Sequence, residues 1–153
     1  MSRRDQIAMD AAEQAAFLAA ERTVICATHG PRGWPHLMPL WYVLRDSRVW
    51  AWTYGASQKV KNLERDPRVT LQVETGEQYA ELRGVMIEAR CALHRDLETV
   101  AGVGAELAER YGGASLTATA LAAVEAQAIK RVALEFVAER TASWDHRKLG
   151  GVY

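Results

Sequence analysis

The chain is 153 residues long, and 49% of its residues are hydrophobic and 25% charged, which fits one globular domain with a sizeable core. Its 19 Lys and Arg balance 19 Asp and Glu, whereas nucleic-acid binders carry a basic excess. No apolar run approaches the roughly 20 residues of a membrane span, and no secretory signal is recognisable. We therefore expect a cytoplasmic domain that binds neither nucleic acid nor membrane.

The first half of the chain predicts one helix, three strands and a short second helix. Residues 1–22 are rich in alanine and carry apolar residues at helical spacing, which predicts one N-terminal helix from about Asp5 to Arg22. Short β-branched runs then indicate strands. Because proline cannot donate to a ladder, Pro39 predicts an edge or a bulge. The strands are Thr23–Thr28, His36–Leu44 and Arg48–Thr53, and the short helix is Ser57–Arg65.

The second half predicts three more strands and a pair of helices. The phase of the apolar residues switches at Gly84, which predicts a bulge there in a long strand. Strand follows strand without crossover helices for most of the chain, which is typical of an antiparallel sheet closed into a barrel. The elements are strands at Val69–Val73, Tyr79–Leu93 and Val132–Val137, helices within 96–129, and a tail from Thr141 to Tyr153.

The segment from Trp52 to Lys59 has the composition of a phosphate site. A strand ends at Trp52 and Thr53, a turn with Gly55 follows, and a helix begins at Ser57. A helix N-terminus offers free amide donors and partial positive charge, to which Ser57 and an exposed Lys59 would add a hydroxyl and an ammonium. The simpler interpretation is that Ser57 is an ordinary cap and Lys59 a solvated residue.

Aromatic residues near this segment suit a planar ligand. Trp41, Tyr42, Trp50 and Trp52 occupy two neighbouring strands and have the flat surfaces that flank a ring. They are equally well explained as core residues. The four histidines show no metal-ligand spacing, so no metal site is expected.

Several short motifs together resemble a known family. They are G-x-P-H-x-x-P-x-W from Gly33 to Trp41, S-x-K-x-x-N-L from Ser57 to Leu63, and R-D-P-R-V from Arg65 to Val69. This pattern resembles the pyridoxamine 5'-phosphate oxidase-like superfamily, and within it the short deazaflavin (coenzyme F420)-dependent reductases. The resemblance implies a mainly β fold, a six-stranded antiparallel split β-barrel of the FMN-binding, Greek-key type, with peripheral helices.

The resemblance also implies roles for particular residues. Ser57 and Lys59 would bind the cofactor phosphate, with Gln58 standing where FMN oxidases usually carry Arg. Trp144 and Arg147 in the tail would reach the cofactor of a second subunit. The other residues implied beside the cofactor are His36, Pro39, Trp41, Trp52 and Thr53.

The function implied is a homodimeric oxidoreductase that uses reduced F420 to transfer hydride to an unsaturated small molecule. An FMN-dependent oxidase or reductase is the alternative enzyme, and a non-catalytic flavin, deazaflavin or haem carrier is the alternative outside enzymes. The proton donor stays open among His36, Tyr42, Tyr54 and His146. The absence of the R-x-H substrate motif argues against pyridoxamine-phosphate oxidation itself.

Overall fold

The fold, seen in a computed structural model that describes residues 2–151, is one curled antiparallel sheet with helices around it. The strands are β1 (Val24–His29), β2 (Pro35–Leu40), β3 (Val43–Arg45), β4 (Arg48–Tyr54), β5 (Arg68–Thr75), β6 (Arg83–His94) and β7 (Arg131–Asp145). The helices are α1 (Arg3–Ile7), α2 (Ala11–Ala20), α3 (Gln58–Arg65), α4 (Leu97–Gly112) and α5 (Ala118–Ala128), with short 3₁₀ turns at Tyr79–Glu81 and His146–Leu149.

The sheet has the order β2-β1-β5-β6-β7-β4-β3, and every neighbouring pair is antiparallel. This confirms the mainly β split-barrel class. The structure has seven strands where six were expected, because the predicted strand His36–Leu44 is divided at Tyr42. The Tyr42 side chain is fully buried, and its hydroxyl donates to the carbonyl of Leu18 at 2.6 Å. Its backbone N–H leaves the ladder and donates to the Tyr111 hydroxyl at 3.0 Å.

Pro39 lies on an edge strand, as predicted. β2 is one end of the sheet and pairs only with β1, where Pro39 is opposite Ile25. The missing N–H of a proline costs least at such an edge.

Two apolar clusters form the core on opposite faces of the sheet. The main cluster lies inside the curl and collects side chains from five strands, among them Val24, Val69 and Leu134. The second lies between the outer face of β4 and helix α4, and contains Val100 and Val103. Successive residues of a strand point to opposite faces, so β4 contributes to both clusters.

The predicted N-terminal helix is wrong in its length. Two helices, α1 and α2, replace it, because Asp10 starts a second capping box with Glu13. The backbone N–H of Met9 between the helices donates to Ser143 Oγ at 3.0 Å, which ties the break to β7. None of the helices within residues 2–151 has the length and apolar character needed to cross a membrane.

The predicted bulge at Gly84 is also misplaced. β6 begins at Arg83, and its irregularity falls between Glu88 and Ala89. Gly84 instead allows the indole of Trp144 to pack directly on the backbone of β6. A Cβ at this position would lie 2.1 Å from that ring. The phase switch therefore marks a close contact between two strands.

The first part of the predicted tail, residues 141–145, is strand. β7 runs to Asp145 and pairs with β6 along its length, with Trp144 opposite Gly84. The alternation of apolar side chains that predicted a strand over Val132–Val137 covers only the first half of β7. The second half is more exposed, and apolar residues do not alternate regularly along it.

Candidate functional site

The strand-turn-helix unit from β4 to α3 forms as predicted. Thr53 is buried on the inner face of β4, whereas Trp52 lies on the outer face against α4. The turn is anchored by Gly55, whose N–H donates to the carbonyl of Lys130 at 3.0 Å. Ser57 then stands at the N-cap position of α3.

Lys59 is buried, which corrects the expectation that it is exposed. Its side chain is only 7% exposed, and its Nζ donates to Thr53 Oγ1 at 3.0 Å. Desolvation lowers its pKa below the ordinary value of 10.5. No carboxylate within residues 2–151 forms an ion pair with it. A buried ammonium with one neutral acceptor is well suited to meet an anion.

Ser57 occupies the cap position but does not cap the helix. Its Oγ is buried without a hydrogen-bond partner in the described chain, and the first turn of α3 contains no acidic side chain. Most helices beginning with serine satisfy a free amide through that hydroxyl. Here no side chain caps the first amides of α3, and the hydroxyl has an unused donor, so an anion could accept from both.

Gln58 is held within α3. Its Nε2 donates to Asn62 Oδ1 at 2.8 Å. Asn62 is fully buried, and its Nδ2 donates to Thr28 Oγ1 at 3.0 Å. Asn62 belongs to the S-x-K-x-x-N-L motif, but no partner was predicted for it. Only its position one helical turn after Gln58 indicated that the two side chains could form a hydrogen bond.

His36 and Gln58 line a small cavity of about 170 Å³ at the start of α3. His36 Nδ1 is buried and lacks a hydrogen-bond partner in the part of the chain described. Together with Ser57 Oγ, it is a second unsatisfied polar atom near this end of the sheet. Such atoms are uncommon unless a ligand or water completes them.

Pro39, Trp41 and Trp52 line a different cleft, which lies between the sheet and helices α4 and α5. Its volume is about 470 Å³, and among the described residues Arg131 is the one charged residue that lines it. The Arg131 guanidinium lies 4.4 Å from the ring centroid of Trp52 and 4.3 Å from that of Tyr54.

Trp144 and Arg147 lie far from α3 within one chain. On β7, Val132 is opposite Thr53 and Trp144 is opposite Gly84, and twelve residues of strand cover on the order of 35–40 Å. Arg147 is paired with Asp145 at 2.6 Å and holds the pKa of that carboxyl below its ordinary value. Within one chain, these two residues are therefore not part of the group at the start of α3.

The other aromatic and proton-donor candidates have structural partners. Tyr42 is buried in the core, and Trp50 stacks on His94 at 5.0 Å. His146 packs against Tyr79, away from α3. Within residues 2–151, no three His, Cys, Asp or Glu side chains are grouped as metal ligands.

The residues at the start of α3 therefore fit the phosphate of a flavin-type cofactor. Among residues 2–151, the fit rests on the Ser57 hydroxyl, which has no hydrogen-bond partner, and on the buried Lys59 ammonium, which forms no ion pair. Both groups favour an anion, and no acidic side chain in the first turn of α3 opposes it.

Solved structures of other proteins share this fold. Rv2991, a conserved hypothetical protein from Mycobacterium tuberculosis, is 42% identical over 100% of this chain and 95% of its own, with a TM-score of 0.92. HutZ, the haem storage protein from Vibrio cholerae, is 18% identical over 87% of this chain and 94% of its own, with a TM-score of 0.68. A structure named F420 reductase is 18% identical over 83% of this chain and 94% of its own, with a TM-score of 0.66.

The last two identities are low enough that they establish a shared fold alone. No curated protein matches the sequence significantly. The sequence over residues 11–145, however, matches the family described as Pyridoxamine 5'-phosphate oxidase. This chain belongs to the pyridoxamine 5'-phosphate oxidase-like family of split β-barrel proteins.

Proposed function

We propose that the protein is an oxidoreductase that uses reduced coenzyme F420 to transfer hydride to an unsaturated small molecule. The observation that carries the proposal is Lys59, a buried ammonium with no carboxylate partner among residues 2–151, two positions after Ser57, whose hydroxyl is also unsatisfied there. These groups stand where relatives are expected to bind the phosphate of a flavin-type cofactor.

Each residue of this group has a physical role. Ser57 and the first amides of α3 donate hydrogen bonds to the phosphate, and Lys59 supplies the compensating charge. Thr53 orients the ammonium by accepting its hydrogen bond at 3.0 Å. The bound cofactor supplies the hydride, and the protein supplies position and exclusion of water. His36, with its unsatisfied Nδ1, is proposed to border the cofactor.

Gln58 favours F420 over FMN. An arginine at this position would offer a bidentate clamp to a terminal phosphate monoester. Gln58 carries no charge, and its amide donates to Asn62 instead. The FMN-dependent enzyme is the second candidate, and it requires that Ser57 and Lys59 hold the phosphate without this clamp.

The complete site is proposed to need a second copy of the chain. Trp144 and Arg147 lie far from α3 along β7, so a role for them at the cofactor requires the partner subunit. The exposed apolar side chains of β2, Leu37 and Met38, support a homodimer because exposed strand edges favour pairing.

The test is a fluorescence titration of the purified protein with F420 and with FMN, followed by oxidation of reduced F420 in the presence of unsaturated acceptors. We expect F420 to bind more tightly than FMN and to be oxidised. In Gln58→Arg, FMN affinity should rise about tenfold, or ~1.4 kcal/mol. Tighter binding of FMN by the parent protein would favour the FMN enzyme.

The same experiment distinguishes a carrier from an enzyme. Haem storage by a protein of this fold makes a non-catalytic role the relevant alternative. A carrier would bind F420, FMN or haem stoichiometrically, and reduced F420 would stay unoxidised with every acceptor. The absorbance spectrum of the protein as purified identifies which cofactor it carries.

A further inference from the structure

The cleft between the sheet and helices α4 and α5 contains one cation in otherwise apolar surroundings. Its walls are formed by Trp41, Trp52, Leu107 and Val124, and the polar residues at its border are Gln127 and Arg131. A volume of about 470 Å³ is in the range of small-molecule sites. No acidic side chain borders the cleft in the described chain. Its ligand should therefore be largely apolar and should carry a negative charge.

Arg131 is held against two aromatic rings at the border of the cleft. Trp52 and Tyr54 lie against its guanidinium with centroids at 4.4 and 4.3 Å. One terminal nitrogen donates to Gln127 Oε1 at 3.3 Å, whereas Nε is buried without a partner within the described residues. The guanidinium therefore has hydrogen-bonding capacity left over, and a carboxylate is the anion whose two oxygens suit it.

Trp41 offers a flat surface at the other side of the cleft. One face of its indole stacks on Tyr111, with centroids 4.3 Å apart and planes within 9°. The residue is nevertheless 60% exposed, so its other face is uncovered. An aromatic ring gains most from such a surface by offset stacking.

Gly104 makes the cleft possible. A Cβ at this position would lie 2.3 Å from the ring of Trp52, so only glycine allows α4 to approach the indole this closely. The contact fixes the ring that in turn holds Arg131. The cation and the aromatic wall are thus set by the packing of α4 on β4.

We propose that this cleft binds a planar aromatic carboxylic acid, with Arg131 as the partner of the carboxylate and Trp41 as the stacking surface. Binding itself is independent of the cofactor. The proposal therefore does not rest on the proposed function.

The test uses three probes on the full-length protein without cofactor: 2-naphthoate, its neutral analogue 2-naphthalenemethanol, and the non-aromatic cyclohexanecarboxylate. Isothermal titration should give an affinity for 2-naphthoate at least tenfold higher than for either analogue. Equal affinity for 2-naphthoate and the alcohol would overturn the proposal, because it would leave no role for the charge.

Arg131→Met should remove the preference for the acid while retaining binding of the alcohol, which also reports that the cleft is intact. Arg140→Met is the matched control on the same strand, since Arg140 is exposed and pairs with Glu88 outside the cleft. Ala108→Trp, which fills the cleft from α4, should abolish binding of all three probes. If Arg131 only braces Trp52 and Tyr54, Arg131→Met would alter the melting temperature but leave the acid preference unchanged, and the proposal would fail.

Lys59→Met separates this proposal from the proposed function. It should leave 2-naphthoate binding unchanged even where F420 binding is lost, because Lys59 does not border the cleft. Loss of 2-naphthoate binding in Lys59→Met would contradict a separate acid site. Intact acid binding combined with no F420 binding by the parent protein would refute only the cofactor assignment.

Discussion

Lys59 Nζ and Thr53 Oγ1 lie 3.0 Å apart inside the curled sheet, and together they join the end of β4 to the first turn of α3. The contact makes Lys59 part of the interior, although its sequence position is that of a helix surface. The hydroxyl orients the ammonium but cannot neutralise it. The burial of this charge is therefore a cost to the unliganded fold that an anion would offset.

The first prediction concerns pH and stability. Burial lowers the pKa of Lys59 in the folded protein below 10.5, the ordinary value that applies to the unfolded chain. At a pH between the folded-state pKa and 10.5, the amine is neutral in the folded protein and protonated in the unfolded chain. Because the unfolded state then binds more protons, the contribution of Lys59 to the free energy of unfolding rises with pH in this window. Below the folded-state pKa, the full desolvation cost is present.

The measurement compares urea unfolding of the parent and Lys59→Met from neutral pH to pH 10. The parent should gain stability relative to Lys59→Met as pH rises. The comparison removes the opposite effect of buried acids such as Tyr42, whose pKa is raised to about 12 by burial in both proteins. A constant difference across the pH range would mean that Lys59 titrates normally.

The second prediction concerns the contact of Gly84 with Trp144. Gly84→Ala introduces a methyl group where the indole lies, at 2.1 Å from the ideal Cβ position. Both residues are within paired strands, so neither backbone can move freely. We expect a loss of about 1–3 kcal/mol in the free energy of unfolding.

Gly112→Ala is the control, because no atom lies within 4 Å of its Cβ position and the residue is helical. It should be neutral or stabilising by about 0.5–1 kcal/mol. In Gly84→Ala combined with Trp144→Leu, the smaller side chain should cancel part of the loss. If Gly84→Ala unfolds at the same urea concentration as the parent, Trp144 does not pack as described.

Much of the fold follows from local sequence patterns. The edge position of Pro39 and the start of α3 at Ser57 arise from the chemistry of single residues and their neighbours, and they are found as predicted. The break at Tyr42 was not predictable in this way. It depends on a hydroxyl that reaches Leu18, 24 residues earlier, and such a contact leaves no periodic signal.

The strand-turn-helix unit of the candidate site was predictable in its location, and the geometry of its side chains was less so. The strand-turn-helix order identified the start of α3, but exposure of Lys59 depends on how α3 packs on the sheet. Because successive side chains of β4 point to opposite faces of the sheet, Thr53 faces the inside of the curl and Trp52 faces α4. The position of Arg131 in the cleft was not predictable from its sequence neighbours. It depends on contacts with Trp52 and Tyr54, which lie on the neighbouring strand.

The third prediction is a homodimer. Edge strand β2 exposes Leu37 by 57% and Met38 by 41%, and the preceding Trp34 by 75%. Burying this surface against a second copy would remove an unpaired apolar edge from water. Light scattering should give twice the chain mass of 17.0 kDa. Leu37→Lys should shift the protein toward monomer, and a monomeric parent at micromolar concentration would rule out a role for Trp144 and Arg147 at the cofactor.

The phosphate site at the start of α3 is tested most directly by titrating F420 into the parent, Lys59→Met and Lys61→Met. A charge-assisted hydrogen bond contributes roughly 1.5–3 kcal/mol, so Lys59→Met should bind F420 about ten- to a hundredfold more weakly. Lys61→Met should bind like the parent, because Lys61 is exposed on another face of the helix. Equal F420 affinity for the parent and Lys59→Met would contradict the site, and with it the proposed function.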